Sequence, residues 1–302
     1  MLDFKPVELA DREWIYPIIY NAGIRNADYS FTNIFAWGES FQAKQVMVNG
    51  CLIICTNVEG SSYYSYPVGA ESDEQLISVI DSLADHCSEL GEPFNLHAIP
   101  AEKAELLETL FPGKFEIEPI RDLFDYIYSA EKLSSLAGKK LHSKRNFINR
   151  FTAEHEWHTV EMTTENSSLW ADMVGEWIAV RDEDSYESAF NEARAMRIAM
   201  SYFTELKLDG IYLYIDDRPC AFAVGERICQ DTYIVHFEKA DASIAGTYPM
   251  INREFVRMIK EKYPEVEYIN REDDMGLENL RKAKLSYYPD IMEEKYMAVI
   301  KQ

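Results

Sequence analysis

The sequence has few cysteines and no long apolar run, and these two absences exclude several classes of protein. Its five cysteines, at positions 51, 55, 87, 220 and 229, are an odd number with no CxxC pair, which argues against a disulfide framework and a zinc ribbon. No apolar run approaches the roughly 18–20 residues of a membrane-spanning helix, so we expect no stable insertion into a membrane. The first residues show no basic stretch followed by an apolar one, so we expect no secretory signal and predict a cytoplasmic protein.

Positive charge is also scarce, since 30 basic residues are outnumbered by 52 acidic ones and the net charge is −22. A surface of this kind repels nucleic acid at long range, which disfavours tRNA as a partner. The exception is the segment 138–150, which holds five basic residues and no acid: Lys139, Lys140, Lys144, Arg145 and Arg150. A smaller basic cluster follows, formed by Arg281, Lys282 and Lys284.

These two basic clusters favour an anion site, with a solvated surface as the alternative. The helical spacing places Lys140, Lys144 and Arg145 in one sector of a helix, so we expect them to face one cleft. We expect Arg281 and Lys284 to line the same cleft, with an anion or intervening acids offsetting the repulsion between the clusters.

The pattern of strands and helices is similar in the two halves of the 302-residue chain. In the first half, Asn49-Gly50 between two apolar stretches predicts a β-hairpin, and apolar residues at helical spacing predict a helix over 71–90. We therefore predict an α+β fold of two domains, 1–150 and 151–302, each a mixed sheet flanked by helices. The basic segment would be the connecting helix at the end of the first domain.

Familiar catalytic and metal-binding motifs are missing. The GxGxxG of dinucleotide-binding folds and the GxSxG of many hydrolases do not occur. His155 and His158 do not have the HExxH spacing, and no PCxxC follows the HxE formed by His236 and Glu238. The residues therefore predict no metal site and no bound cofactor.

The strongest local signal is a polar cluster at the end of an apolar strand predicted over 267–271. Asn270, Arg271 and Glu272 follow one another there, and Gly276 then leads into the second basic cluster. Polar side chains at the end of a strand, beside the start of a helix, commonly form a ligand site. A solvated turn with ion pairs is the alternative.

Several motifs carry a resemblance to a known family. In the first half they are the run NADYSFTN from Asn26 to Asn33, with Trp37, and the run from Gly138 to Asn146. In the second half they are NRED at 270–273, LRKAK at 280–284 and Tyr288-Pro289. The chain resembles, over nearly its whole length, a bacterial family related to the soluble C-terminal domain of phosphatidylglycerol lysyltransferase. This resemblance implies two tandem domains of the GNAT type, the fold of acyl-CoA N-acyltransferases.

The resemblance also implies where a site would lie. In GNAT-type folds the fourth and fifth strands separate, and here these would be the strands predicted over 232–237 and 267–271. The lysyltransferases move an aminoacyl group from charged tRNA to a lipid. Their acid after the fourth strand corresponds to Asp241, and their lysine before an aromatic-x-Pro motif corresponds to Lys284. Acyl-CoA and aminoacyl-tRNA are the donor co-substrates that the resemblance implies.

Residues and resemblance together predict an acyl- or aminoacyltransferase with an amine or hydroxyl acceptor and a small or phosphate-bearing donor. The predicted catalytic residues are Glu272 or Asp241 as proton acceptor, Lys284 as electrostatic stabiliser, and Tyr287 beside them. The predicted substrate-binding residues are Lys140, Lys144, Arg145, Asn146, Glu238, Asn270, Arg271 and Arg281.

Two alternatives stay open from the sequence. A non-catalytic protein that binds a small molecule with the same fold is favoured by two departures from the related enzymes. Ile244 stands where the lysyltransferases have arginine, and 241–247 does not match the acyl-CoA-binding pattern. RNA binding through the basic segment is opposed by the net charge. The sequence sets no oligomeric state.

Overall fold

The computed structural model describes residues 1–179 and 186–301, which form two mixed β-sheets flanked by helices. The strands are β1 (Lys5–Pro6), β2 (Lys44–Val48), β3 (Cys51–Val58), β4 (Ser61–Ser65), β5 (Asn95–Pro100), β6 (Phe115–Pro119), β7 (Asp125–Ser129), β8 (Trp157–Glu161), β9 (Asp209–Ile215), β10 (Arg218–Arg227), β11 (Thr232–Ala240), β12 (Tyr268–Asn270), β13 (Ile291–Glu293) and β14 (Lys295–Ile300).

The α-helices are α1 (Arg12–Ala22), α2 (Phe31–Ala36), α3 (Asp73–Leu90), α4 (Ala101–Leu110), α5 (Ala130–Ser135), α6 (His142–Glu154), α7 (Trp170–Ala179), α8 (Tyr186–Ser201), α9 (Thr247–Lys262) and α10 (Glu278–Leu285). Within the described ranges, no helix combines the length and the apolar character needed to cross a membrane.

The two sheets have the same strand order. The first runs β1-β2-β3-β4-β5-β14-β6, and the second, read from its other edge, runs β8-β9-β10-β11-β12-β7-β13. In each sheet four strands in antiparallel pairs are followed by a parallel pair, β4 with β5 and β11 with β12. The predicted α+β fold with two similar mixed sheets is confirmed.

In each sheet, the strand next to the parallel pair comes from the other half of the sequence. β14 lies between β5 and β6, and β7 lies between β12 and β13. One compact unit therefore comprises Met1–Asp125, Asp273–Leu277 and Met292–Gln302, and the other comprises Tyr126–Glu272 and Glu278–Ile291. These units do not coincide with the predicted division at residue 150. The difference arises because long-range backbone pairing, which a local pattern does not encode, decides which sheet a strand joins.

The short-range predictions for the first unit are confirmed. β2 and β3 form a hairpin through Asn49-Gly50, whose φ angles of 47° and 80° lie in the left-handed region that this turn requires. Helix α3 begins after Ser72, whose hydroxyl accepts the backbone N–H of Gln75 at 3.2 Å, and it ends at the left-handed Gly91. Its apolar face packs into the core of the first sheet.

The basic segment does not form one continuous helix. Helix α5 ends before Leu136, which has a φ of 52°, and Gly138 has a φ of 90°. Helix α6 begins only at His142. The prediction that Lys140 shares a helix with Lys144 is therefore wrong, because Lys140 lies in the preceding turn. Left-handed backbone positions end a helix, and the apolar spacing does not reveal them.

Candidate functional site

In the second unit, β11 and β12 pair over a short stretch and then separate. Their parallel register ends where Ile234 lies opposite Asn270. Beyond that point the backbone N–H of Arg271 donates to the carbonyl oxygen of Tyr126 in β7 at 3.0 Å, whereas β11 continues to Ala240. The predicted separation of the fourth and fifth strands is confirmed. We call the space between them the strand gap.

A β-bulge in β11 shapes one wall of the strand gap. Val235 lies opposite Gly225 and Phe237 lies opposite Val224, so His236 is an extra residue in the pairing with β10. Gly225 permits this pairing, because a Cβ there would lie 2.0 Å from the backbone carbonyl oxygen of the facing strand.

The bulge also changes which side chains of β11 face helix α9. In a regular strand, Tyr233 and Glu238 would point to opposite faces because they are five residues apart. Here both contact α9: the Tyr233 ring lies 5.8 Å from that of Phe255, and Glu238 bonds to Asn252. The extra residue between them turns Glu238 toward α9.

Arg271 and Glu238 form an ion pair in the strand gap, with Arg271 Nη2 2.8 Å from Glu238 Oε1. The other carboxylate oxygen, Oε2, accepts a hydrogen bond from Asn252 Nδ2 at 2.8 Å. Burial lowers the pKa of Arg271, but Glu238, Tyr128 and Tyr287 together outweigh this effect and raise that pKa, so the guanidinium is charged. Two buried atoms of this cluster, Arg271 Nη1 and Asn252 Oδ1, have no hydrogen-bond partner among the described residues.

Lys144 of α6 reaches the same cluster. Its Nζ lies 4.1 Å from the centre of the Tyr287 ring, and the guanidinium carbon of Arg271 lies 5.0 Å from that centre. Burial lowers the pKa of Lys144, and the charge of Arg271 lowers it further, while Glu238 acts in the opposite direction. Burial also raises the pKa of Tyr287, so its hydroxyl stays protonated. We call Lys144, Glu238, Asn252, Arg271 and Tyr287 the ion cluster.

His236 bridges two carboxylates next to the ion cluster. Its Nδ1 lies 2.9 Å from Glu272 Oε1, and its Nε2 lies 3.3 Å from Glu226 Oε1. Burial lowers the pKa of His236, but the hydrogen bonds to Glu226 and Glu272, together with the negative charges of these residues, outweigh this effect and raise that pKa to about 9. The ring is therefore an imidazolium at neutral pH.

Glu272 is the most exposed of the three carboxylates in this region. Its side chain is 25% exposed, against 2% for Glu226 and 9% for Glu238. The backbone of Glu272 has a φ of 59°, and its N–H donates to the side-chain oxygen of buried Asn270 at 2.6 Å. Of these carboxylates, Glu272 is thus best placed to meet a substrate.

Two of the predicted catalytic residues, Lys284 and Asp241, take part in local structure. Lys284 Nζ donates to the backbone carbonyl oxygen of Arg271 at 2.6 Å. Asp241 Oδ1 accepts the backbone N–H of Ser243 at 2.9 Å, in a turn after β11. Both side chains therefore support the backbone where a strand ends. The other two, Glu272 and Tyr287, belong to the groups described above.

Some of the predicted substrate-binding residues lie at the strand gap, and others make contacts elsewhere. Lys144, Glu238, Asn270 and Arg271 are brought together at the strand gap. Arg145 instead donates to the backbone carbonyl oxygens that precede α6, including that of Gly138 at 2.7 Å.

The remaining three predicted residues are Lys140, Asn146 and Arg281. Lys140 Nζ lies 5.1 Å from the centre of the exposed Tyr288 ring, and the Asn146 amide nitrogen lies 3.3 Å from His142 Nδ1. Arg281 is half-buried on α10. Of the basic residues expected to share one cleft, Lys144 is the one whose described contacts place it in the ion cluster. The reason is that the turn before α6 uses Arg145 to satisfy its own carbonyl groups.

Three residues of the site carry no sequence-based binding or catalytic prediction: Glu226, His236 and Asn252. A signal existed for Glu226, because a carboxylate inside the apolar stretch 220–229 must find a partner once the strand is buried. Asn252 lies on the apolar face of α9 and carries no comparable signal. In the part of the chain that the structure describes, no group of three or more His, Cys, Asp or Glu side chains could hold a metal ion.

The strand order and the strand gap define the class of protein. A tandem GNAT protein from the clavulanic acid biosynthesis pathway superposes with a TM-score of 0.51 at 9% identity, over 100% of this chain and 99% of that chain. This likeness shows the fold, which consists of two tandem GNAT-like domains.

The chain belongs to the family of the C-terminal domain of phosphatidylglycerol lysyltransferase, whose model matches residues 22–299. A conserved protein of unknown function from Bacteroides thetaiotaomicron is 36% identical over 100% of both chains, with a TM-score of 0.93. An uncharacterised protein from Mycoplasmoides gallisepticum is 25% identical over 192 residues, or 62% of this chain. The match spans 60% of the length of that curated relative.

Proposed function

We propose that this protein is an acyl- or aminoacyltransferase whose reaction takes place at the strand gap of the second unit. The observation that carries the proposal is the position of Glu272, a partly exposed carboxylate, beside a buried ion cluster at the end of two separating strands. Membership in the lysyltransferase family and the tandem GNAT-like fold support transfer of this class.

In the proposed reaction, the acceptor nitrogen or oxygen attacks the carbonyl carbon of the donor while Glu272 takes the acceptor's proton. The bond from that carbon to the donor's oxygen or sulfur then breaks, and the leaving group receives the proton that Glu272 took from the acceptor. His236 holds one oxygen of Glu272 at 2.9 Å, so a buried ring fixes the direction of the carboxylate. Such fixed geometry is what general-base catalysis requires.

The geometry favours an aminoacyl ester over an acyl-CoA as donor. The segment 241–247, where the resemblance predicts an acyl-CoA-binding loop, is closed by its own hydrogen bonds, including Thr247 Oγ1 to the carbonyl oxygen of Asp241 at 2.8 Å. Helix α6 also packs closely against Gly246, at the start of α9. A Cβ on Gly246 would lie only 2.7 Å from the carbonyl oxygen of Phe147. If the ester is carried by tRNA, the acid-free segment 138–150 is the surface that would meet it.

A transfer assay with the purified protein tests this proposal. The donors are labelled lysyl-tRNA, a mixture of other aminoacyl-tRNAs, and acetyl-CoA; the acceptors are phosphatidylglycerol vesicles and small primary amines. Glu272→Gln should lower the rate by about 100-fold or more, the usual effect of removing a general base. Glu278→Gln, which changes an exposed carboxylate of α10, should leave the rate unchanged. Equal rates for the parent protein and Glu272→Gln would exclude Glu272 as the base.

The second candidate is a non-catalytic protein that binds a small molecule in the same place. It is favoured by one observation: Asp241 and Lys284, to which the resemblance assigns catalytic roles, are both engaged in local structure. This candidate predicts that a donor raises the melting temperature of the protein without forming product. Product formation would exclude it.

A further inference from the structure

The ion cluster has more positive than negative charge, in a protein whose net charge is −22. Lys144 and Arg271 contribute two cations, and both contact the ring of Tyr287. Glu238 is the one carboxylate of the cluster. Lys144 and Arg271 are both half-buried, and two partly desolvated cations next to each other repel. An anion or ordered solvent would offset this repulsion.

Both carboxylate oxygens of Glu238 already accept a hydrogen bond within the cluster. Its Oε1 accepts from Arg271 Nη2 and its Oε2 accepts from Asn252 Nδ2, each at 2.8 Å. Lys144 forms no ion pair with a carboxylate of the described residues, and its described partner is the Tyr287 ring. The single carboxylate of the cluster is therefore shared between two cations, and it offsets only part of their positive charge.

One hydrogen-bond donor group of Arg271 in this cluster has no acceptor among the described residues. This group is the buried Nη1. A buried guanidinium N–H without an acceptor costs free energy comparable to a lost hydrogen bond, so it is normally paired with protein, water or ligand. A planar guanidinium next to an ammonium is an arrangement that suits the oxygens of a phosphate or a carboxylate.

We propose that Lys144 and Arg271, against the ring of Tyr287, form a binding site for one anionic group of a ligand, either a phosphate or a carboxylate. The inference rests on the proposed function in placing this group on a substrate of the transfer reaction. One oxygen of the anion takes the unpaired Nη1–H of Arg271, and Lys144 Nζ neutralises the remaining charge. The site serves a single anionic group, because the other basic residues of 138–150 have other contacts or are exposed. Arg145 donates to backbone carbonyl groups and Arg150 pairs with Glu154. Lys139 and Lys140 are exposed.

The probes for this site are inorganic phosphate, sulfate and acetate, exchanged for chloride at constant ionic strength. The melting temperature of the parent protein should rise in a saturable way with at least one of these anions. Lys144→Met should weaken that binding by about tenfold, the usual effect of losing one charged hydrogen bond. Lys140→Met is the matched control, because it removes an exposed lysine of the same segment, and it should bind the anion like the parent protein.

Two further arms distinguish the sources of the anion. Comparing the stabilisation by acetate with that by phosphate shows whether the site prefers a carboxylate or a phosphate group. Dihexanoyl-phosphatidylglycerol below its micellar concentration, compared with inorganic phosphate, separates a lipid headgroup from a free phosphate.

Chemical labelling provides a second readout that does not depend on stability. Lys144 should react readily with acetic anhydride, and the bound anion should slow this reaction about tenfold for each unit by which it raises the pKa of the amine. Labelling of Lys140 in the same sample should not change. Equal stabilisation of the parent protein and Lys144→Met by every anion, with unaltered labelling of Lys144, would overturn the proposal.

The transfer assay and the anion-binding measurements can fail independently of each other. Product in the transfer assay without anion binding that depends on Lys144 would remove the anion site and keep the transferase. Anion binding that depends on Lys144, with no product from any donor, would keep the site and remove the transferase.

Discussion

The buried amine of Lys295 lies 2.8 Å from Asp125 Oδ1 and 2.7 Å from Asp28 Oδ2 in the first unit. Asp125 is 0% exposed, and its other oxygen accepts the backbone N–H of Ala27 at 2.7 Å. Lys295 therefore connects β14 to the NADYSFTN motif near the start of the chain. In the same motif, the Tyr29 hydroxyl donates to a backbone carbonyl oxygen of β5 at 3.1 Å. This motif is thus part of the core of the first unit.

Lys295→Met should be strongly destabilising, because it leaves Asp125 buried without its counter-charge. We expect the free energy of unfolding to fall by about 3–5 kcal/mol, the usual effect of removing one partner of a buried ion pair. Urea denaturation measures the change. Lys301→Met, which alters an exposed lysine close by in sequence, should stay within about 0.5 kcal/mol of the parent protein. A loss no larger for Lys295→Met than for Lys301→Met would show that Asp125 is not charged in the folded state.

The imidazolium of His236 should make stability depend on pH. Because folding raises its pKa from the ordinary value to about 9, its contribution is complete below about pH 6.5 and is lost as the pH rises through 9. The contribution is of the order of 3 kcal/mol. Urea denaturation between pH 6 and 10 should show this loss for the parent protein and a flatter profile for His236→Gln. Parallel profiles for the two proteins would contradict the assignment.

Two glycine substitutions should have opposite effects. Gly225→Ala places a Cβ 2.0 Å from the carbonyl oxygen of Ile234, so it should disrupt the bulge and destabilise the protein by about 2 kcal/mol or more. Gly175→Ala, in α7, meets no atom of the described residues within 4 Å and should stabilise the protein by up to about 1 kcal/mol. Thermal and urea unfolding of both variants measure the difference. An unaffected Gly225→Ala would argue against the bulge at His236.

Lys284→Met should lower the free energy of unfolding and have a smaller effect on the rate of the transfer reaction. The amine donates to the carbonyl oxygen of Arg271, and loss of a buried hydrogen bond of this kind costs about 1–3 kcal/mol. Lys282→Met, on the exposed side of α10, should have little effect. Urea denaturation and the transfer assay are run in parallel. A Lys284→Met variant that is as stable as the parent protein but inactive would instead support the predicted catalytic role of Lys284.

Local sequence patterns were sufficient to predict several short-range elements and one part of the candidate site. Asn49-Gly50 is sufficient for a hairpin because its left-handed conformation depends on two residues alone, and α3 follows from its apolar spacing and its caps. The polar run after β12 lies at the strand gap, because Arg271 and Glu272 follow directly where the strand ends.

Which side chains meet at the strand gap depends on long-range packing, which the local sequence does not encode. The exchange of β7 and β14 between the sheets depends on pairing between segments far apart in the chain. The bulge at His236 shifts the alternation of β11, so Glu238 turns toward Asn252 on a helix whose sequence shows no sign of a site. Lys144 and Arg145 are neighbours in a basic run, yet one enters the ion cluster and the other binds backbone carbonyl groups. Charge pattern reports how many cations a segment has, whereas packing decides which of them is desolvated beside a partner.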